Sequence, residues 1–204
     1  MITREELVAP FPEGYFSNWE KAFGHNFFDT HAARTMDYDK DFVETELGGK
    51  SILEIGGFPG VLASLYIARG CKVVAIDSPQ YRPDYYLEFA KNRVFQSVAH
   101  DINLGPPPIE GHFDAAVMSD VLLHNAGFPS EFMGWAIEHC DKIYILNYPT
   151  ADGNINPPAE HSLFSGFPVP NSKKIVTEME RLGAKISCPN RETGGRELMV
   201  FERI

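Results

Sequence analysis

The sequence predicts an α/β fold, with a doubly wound, mostly parallel seven-stranded sheet, an antiparallel C-terminal strand, helices on both faces and an N-terminal helical segment. Short apolar runs alternate with helical stretches from residue 50 onward, which is typical of βαβ units whose strands are buried on both faces. A glycine-rich turn, residues 56–60, separates the first of these strands from the first helix. Near the C-terminus, two strand-like runs flank Gly194-Gly195, which predicts an antiparallel hairpin.

The individual elements follow from these patterns in chain order. Strands are predicted over residues 51–56, 72–77, 94–99, 113–118, 142–148, 184–188 and 197–203. Helices are predicted over residues 61–69, 84–91, 130–140 and 172–182, the last of them closed by Gly183. In the first quarter of the chain, Trp19, Phe23 and Phe27 recur every four residues, which indicates an amphipathic helix. We therefore expect a helical appendage over residues 1–48 and a main domain over residues 49–204.

Composition excludes several classes of protein. The 204 residues are 44% hydrophobic and 23% charged, as in an ordinary globular protein. The net charge of −10 argues against a protein that binds nucleic acid or an anionic membrane. Cys71, Cys140 and Cys188 include no C-x-x-C pair, so neither a disulfide framework nor a zinc site is expected. We expect a soluble, cytoplasmic protein without a bound metal.

Acidic residues lie in or after the first three predicted strands. Glu54 lies inside the first strand, Asp77 ends the second and Asp101 follows the third. Each acid alone can cap a helix or form a turn, but their order at successive strands favours a ligand site at the carboxyl edge of the sheet. Asp77 can accept hydrogen bonds from both hydroxyls of a ribose. Glu54 suits a cationic ligand better than a polyphosphate.

These segments resemble the motifs of class I S-adenosylmethionine-dependent methyltransferases. Leu53-Glu54-Ile55-Gly56-Gly57-Phe58-Pro59-Gly60 is similar to the first motif, and Val74-Ala75-Ile76-Asp77 to the second. His100-Asp101-Ile102 is similar to the third motif, and residues 113–124 to the fourth. The resemblance covers residues 50–204, with the four motifs in the family's order. It identifies residues 49–204 as a domain that binds S-adenosylmethionine. For residues 1–48, the aromatic pattern leaves two interpretations, a helical appendage packed on this domain or a lid over its ligand.

The resemblance implies a set of residues that bind the cofactor. Asp77 holds the ribose, Asp101 accepts a hydrogen bond from the adenine amino group, and Ile102 packs on the ring. Phe58 replaces the middle glycine of the first motif, and a bulky residue there can narrow the pocket. The implied cofactor-binding residues are Glu54, Gly56, Gly57, Gly60, Asp77, Ser78, Asp101, Ile102 and Ser119.

The implied reaction is an in-line transfer of a methyl group to an oxygen or nitrogen nucleophile of a small molecule or peptide. Because the cofactor is already activated, the protein mainly aligns the acceptor and removes its proton. His124, on the loop after the fourth strand, is the predicted base, with a turn-capping role as the alternative. Two pieces, the N-terminal aromatic segment and the loop over residues 149–170, are predicted to close the acceptor site. Predicted acceptor-binding residues are Tyr15, Trp19, Tyr148 and His161.

Two other function classes stay open on the sequence. An NAD-type oxidoreductase uses the same sheet and an acid after the second strand, but it prefers a G-x-G-x-x-G turn to the spacing Gly56-Gly57-x-x-Gly60. A non-catalytic binding subunit would retain the fold with Phe58 blocking the cofactor. The fourth strand is followed by Ser119-Asp120-Val121-Leu122 and not by Asn-Pro-Pro-Tyr or Asp-Pro-Pro-Tyr, which disfavours family members that methylate bases or glutamine amides.

Overall fold

Seven strands form one sheet in the computed structural model, which describes residues 2–9, 11, 13–15, 27–57, 60–79, 95–124, 127–147 and 172–204. The strands are β1 (Ser51–Ile55), β2 (Lys72–Asp77), β3 (Phe95–Ala99), β4 (Phe113–Ser119), β5 (Cys140–Asn147), β6 (Ala184–Thr193) and β7 (Arg196–Arg203). Their order is β3-β2-β1-β4-β5-β7-β6. β2 pairs in parallel with β1 and β3, and β4 with β5, whereas β7 is antiparallel to β5 and β6. The predicted sheet is therefore confirmed.

Five α-helices are described in these ranges. They are α1 (Arg4–Val8), α2 (Phe27–Tyr38), α3 (Val61–Ala68), α4 (Ser130–His139) and α5 (Ser172–Arg181). A π-helix, Asp39–Leu47, continues α2, and short 3-10 helices span Ile102–Leu104 and Val121–His124. The chain divides into two compact units, residues 1–99 and 100–204. No helix in the described ranges is long and apolar enough to cross a membrane.

The first unit buries nearly all of β1 and most of α3. Residues 52–55 of β1 are buried, as expected for a strand with parallel neighbours. Five of the eight residues of α3 are buried as well. Helices α1 and α2 both contact α3, and Tyr38, Phe42 and Leu47 are buried in the same unit. The N-terminal helices thus pack within this unit, and their action as a lid stays a prediction.

The second unit has its core around β5 and β7. Residues 143–147 of β5 and 198–201 of β7 are buried. Helix α4 contributes Phe132, Met133 and Ala136, each fully buried. Helix α5 ends at Arg181, and Gly183 follows with a φ of +90°, in the C-terminal position that the sequence predicts for it.

Strand β6 is longer than the sequence indicates. The predicted strand ends at Cys188, yet the observed strand continues through Pro189 to Thr193. The register with β7 shifts between Ile186 and Cys188 and again between Cys188 and Arg191. An edge strand with such bulges accepts a proline, so the physical reason for the longer strand is its position at the edge of the sheet.

Some predicted elements fall outside the described residues. These are the helix over residues 84–91, the N-terminal aromatics Trp19 and Phe23, and the loop over residues 149–170. Phe27 is described and is the first residue of α2.

Candidate functional site

The glycine turn joins the carboxyl ends of β1 and β2 in the first unit. The backbone N–H of Gly56 donates to the carbonyl of Ile76 at 2.8 Å, and that of Gly57 approaches the same oxygen at 3.4 Å. Gly56 and Gly60 have φ values of +76° and +88°, a conformation that favours glycine. The Gly60 N–H donates to the Gly57 carbonyl at 2.6 Å. The turn is therefore tight, and glycine is required where it bends.

Helix α3 begins directly after this turn. The N–H of Ser64 donates to the carbonyl of Gly60 at 3.0 Å, which makes Gly60 the N-cap residue, without a side-chain cap. The first backbone N–H groups of a helix have no partner within it and attract polar or anionic groups. Phe58 and Pro59, inside the turn, lie outside the described residues.

Asp77 ends β2 beside the turn. Ile55 of β1 pairs with Ile76 of β2. Asp77, the next residue of β2, therefore lies level with Gly56, the first residue of the glycine turn. The residue is 7% exposed, and its neighbour Ser78 is half-buried. The predicted ribose-binding carboxylate thus lies next to the predicted glycine turn.

Glu54 is a buried carboxyl group of the first unit. The residue is 2% exposed, and its Oε2 atom has no hydrogen-bond partner among the described residues. Burial raises the pKa of this carboxyl well above its usual value, and the charge of Asp77 raises it further. An ionised, unpartnered carboxylate is costly inside a protein, so Glu54 favours the protonated form unless a cation approaches it.

Asp101 in the second unit has a local structural partner. Its Oδ1 atom accepts hydrogen bonds from the backbone N–H of Asn103 at 2.9 Å and from Asn103 Nδ2 at 2.8 Å. Asp101 thereby caps the short helix Ile102–Leu104, and Ile102 is buried. The capping role is observed, whereas the role of Asp101 and Ile102 in adenine binding stays a prediction.

The turn after β4 contains an ion pair that sequence reasoning missed. Ser119 is the last residue of β4, and Asp120 follows with its carboxylate oxygens 2.5 Å from Arg196 Nε and 2.9 Å from Arg196 Nη2. Arg196 begins β7, 76 residues away. No local pattern signals a partner at that separation. His124, the predicted base, ends the short helix that follows Asp120.

The predicted acceptor-binding residues are described only in part. Tyr15 is buried in the first unit, with its ring centroid 4.8 Å from that of Phe11. Trp19, Tyr148 and His161 lie outside the described residues. Within the part of the chain that the structure covers, no three His, Cys, Asp or Glu side chains are placed to hold a metal ion.

A cavity of about 450 Å³ lies at the amino end of β5, far along the strand from Asn147. Charged residues that line the cavity pair with one another: His112 lies 2.7 Å from Asp141, and Lys142 lies 3.2 Å from Glu202. Burial raises the pKa of the Cys140 thiol to about 12, so that thiol is not a nucleophile at neutral pH. Ligands of open α/β sheets bind at the opposite, carboxyl ends of the strands.

Solved structures with the same fold were found by structural comparison. Magnesium protoporphyrin IX methyltransferase ChlM from Synechocystis, solved with bound SAH, has a TM-score of 0.65 and 16% identity, over 99% of this chain and 100% of that one. PigF with SAH has a TM-score of 0.68 and 16% identity, over 94% of this chain and 61% of that one. An O-methyltransferase family 2 protein from Planctomyces limnophilus, in complex with apigenin, has a TM-score of 0.66 and 13% identity, over 98% of this chain and 65% of that one.

These likenesses establish the fold. The chain has the Rossmann-like fold of class I methyltransferases, which confirms the fold that the sequence motifs imply. It spans less than two thirds of the length of PigF and of the Planctomyces limnophilus protein. No protein-family model and no curated protein sequence matches the chain.

Proposed function

We propose that the chain is an S-adenosylmethionine-dependent methyltransferase that acts on an oxygen or nitrogen nucleophile of a small molecule or peptide. The observation that carries the proposal is the buried Glu54 carboxyl, whose Oε2 atom has no partner among the described residues. It lies in the same unit as the glycine turn and Asp77. Structures of the same fold whose names identify them as methyltransferases, one of them crystallised with SAH, support the proposal.

The first unit offers groups that fit the ribose and the methionine part of this cofactor. The carboxylate of Asp77 would accept hydrogen bonds from the ribose hydroxyls. The glycine turn would allow close approach of the backbone, and Ser78 follows Asp77 on the same edge. Glu54 would face the positive charge of the methionine part, which would satisfy its unpartnered oxygen and stabilise its ionised form.

In the second unit, the roles proposed for the cofactor-binding residues rest on the resemblance of the sequence motifs. Asp101 would accept from the adenine amino group, Ile102 would pack on the ring, and Ser119 would line the pocket after β4. When bound, the cofactor supplies an already activated methyl group. His124 would accept the proton of the acceptor nucleophile, and Tyr15 belongs to the predicted acceptor-binding set. The protein's contribution is then alignment, proton removal and exclusion of water.

Calorimetric titration tests the proposal against its two alternatives. We expect the wild-type protein to bind S-adenosylmethionine and S-adenosylhomocysteine but not NAD. Asp77→Ala removes the ribose acceptor and should weaken S-adenosylhomocysteine binding roughly tenfold or more, because a hydrogen bond to a charged group contributes about 1.5–3 kcal/mol. Asp37→Ala is the matched control, since Asp37 is an exposed carboxylate of the same unit.

Two outcomes would count against the proposal. Unchanged affinity in a folded Asp77→Ala variant would remove the ribose assignment. A wild-type protein without measurable affinity, together with binding gained by Phe58→Gly, would favour the non-catalytic binding subunit instead.

A further inference from the structure

Asp120 has a left-handed backbone conformation, which is uncommon for residues other than glycine. Its φ of +58° is the only positive φ of a non-glycine residue in the described part of the chain. An L-residue in this region is strained by contact between its Cβ and the backbone, and such strain persists only where surrounding contacts impose it. The strain lies at the carboxyl end of β4, between Ser119 and the short helix Val121–His124.

Three hydrogen bonds impose this conformation. The backbone N–H of Asp120 donates to the carbonyl of Leu146, in β5, at 3.0 Å. Its two carboxylate oxygens accept from Nε and Nη2 of Arg196 at 2.5 and 2.9 Å. A pair of parallel hydrogen bonds of this kind fixes both groups in orientation as well as in distance.

Arg196 is itself held in place. Its side chain is 6% exposed, and Nη1 donates to the carbonyl of Gly195 at 3.0 Å. Because Glu197 of β7 pairs with Asn147 at the end of β5, Arg196 lies just past the carboxyl end of β5. The ion pair therefore joins the turn after β4 to the β6–β7 hairpin, across the end of the strand between them.

We propose that the Asp120–Arg196 ion pair is a positioning device that fixes the direction of the segment Val121–His124, which carries the proposed base. The inference rests on the proposed function, in which His124 is the base. Strained backbone residues cluster at functional sites, and this one begins the segment that carries His124. The backbone angles of Asp120 decide where the next four residues go, and Asp120 and Arg196 act through His124 without touching the acceptor.

Histidine NMR spectroscopy tests this inference without knowledge of the acceptor. The Cε1–H signal of His124, assigned with His124→Gln, is followed through a pH titration in the wild type and in Asp120→Asn, Arg196→Lys and Arg196→Met. Arg196→Met should move the His124 midpoint on the order of 0.5 pH unit, because loss of the ion pair releases the backbone of Asp120 and so changes the surroundings of the His124 ring. Arg196→Lys keeps the positive charge, so the His124 midpoint in this variant should lie between those of the wild type and Arg196→Met.

Control signals separate positioning from general loosening of the unit. His112 and His139 lie in the same unit and should keep their midpoints in every variant. Glu202→Gln removes the Lys142 pair between β5 and β7 at the other end of these strands, and it should leave His124 unchanged. Where Arg196→Met fails to fold, Asp120→Asn decides, since asparagine accepts a positive φ but lacks the charge.

An unchanged His124 signal in folded Asp120→Asn and Arg196→Met variants would overturn the inference, and so would equal shifts of His112 and His139. S-adenosylhomocysteine titration of the wild type tests the proposed function separately. Wild-type binding with an unmoved His124 signal would remove the positioning role alone. Absence of wild-type binding would contradict the proposed function whatever the histidine signals show.

Discussion

At the scale of single residues, Glu54 combines deep burial, an unpartnered oxygen and a neighbouring acid. Its pKa is raised by burial first and by Asp77 second. Tyr66 of α3, also fully buried with an unpartnered hydroxyl, has its own pKa raised by burial and by Glu54. The charge of Asp77 therefore disfavours an ionised Glu54, and an ionised Glu54 disfavours ionisation of Tyr66. A cationic ligand would favour the ionised form of Glu54 over the protonated form, because it stabilises the carboxylate charge.

This reasoning predicts proton release on ligand binding. Below the raised pKa of Glu54 the empty protein holds a proton on this carboxyl, and we expect the bound positive charge to lower the pKa so that the proton leaves. Affinity should therefore fall as the pH drops below the raised pKa of the empty protein. Calorimetry of S-adenosylhomocysteine in two buffers of different ionisation enthalpy would measure the released protons, and Glu54→Gln should abolish the release.

A neutral ligand provides the control for this prediction. 5′-Methylthioadenosine lacks the ammonium group of S-adenosylhomocysteine, so its binding should release no proton from Glu54. Equal proton release for both ligands, or release that persists in Glu54→Gln, would show that another group titrates.

At the scale of elements, the pair Asp39–Arg69 ties three segments of the first unit together. Asp39 begins the π-helix and is fully buried, and it accepts from the Ile2 backbone N–H at 2.7 Å and from Arg69 Nε at 2.7 Å. Arg69 is the C-cap residue of α3. Burial raises the pKa of Asp39, but the hydrogen bonds from Arg69 and Ile2 outweigh it and leave the pKa below its usual value.

Removal of Arg69 should therefore destabilise the protein strongly. Arg69→Met leaves a buried carboxylate without its cation, a change that typically costs about 3–5 kcal/mol. In the wild type, the contribution of Asp39 is present above its unfolded pKa near 3.8 and is lost as the pH falls through its lowered folded value. In Arg69→Met, burial is the largest remaining influence and raises the pKa of Asp39, so protonation of Asp39 at low pH should relieve part of the destabilisation. Urea unfolding from pH 7 to pH 3 measures both effects.

The exposed pair Arg4–Asp29 is the matched control for Arg69→Met. Its side chains are 51% and 53% exposed, and exposed ion pairs contribute only about 0–1 kcal/mol. Arg4→Met should therefore change the free energy of unfolding little. If Arg69→Met were no more destabilised than Arg4→Met, the pair Asp39–Arg69 would not hold the N-terminal helices in place.

The sequence predicts elements well where one local signal decides them. β2 matches its predicted bounds, because an apolar run buried on both faces has few alternatives. β6 was predicted too short, because its irregular pairing with β7 depends on its position at the edge of the sheet, which is a property of the whole fold. The same limit applies to the site: Glu54 and Asp77 stand out in local motifs, but the pairing of Asp120 with Arg196 depends on the fold.

At the scale of the whole molecule, the predicted cofactor residues divide between the two units. Glu54, the glycine turn and Asp77 belong to residues 1–99, whereas Asp101 and Ser119 belong to residues 100–204. For the residues of the first unit, the assignment to cofactor binding is supported by hydrogen bonds and burial. For those of the second unit, it is supported by the resemblance of the motifs. A ligand protects each segment that it contacts against local opening, since it binds the folded segment in preference to the open one.

Native-state hydrogen exchange can therefore test both groups of residues in one experiment. At a free S-adenosylhomocysteine concentration of about 100 Kd, amides that exchange only after ligand loss should slow roughly 100-fold. We expect this protection at residues 56–62 and, if the motif assignment is right, at residues 101–103. NAD at the same concentration is the control and should protect neither segment. Protection confined to residues 56–62 would remove Asp101 and Ile102 from the cofactor-binding set, because a capping role alone gives them no contact with the ligand.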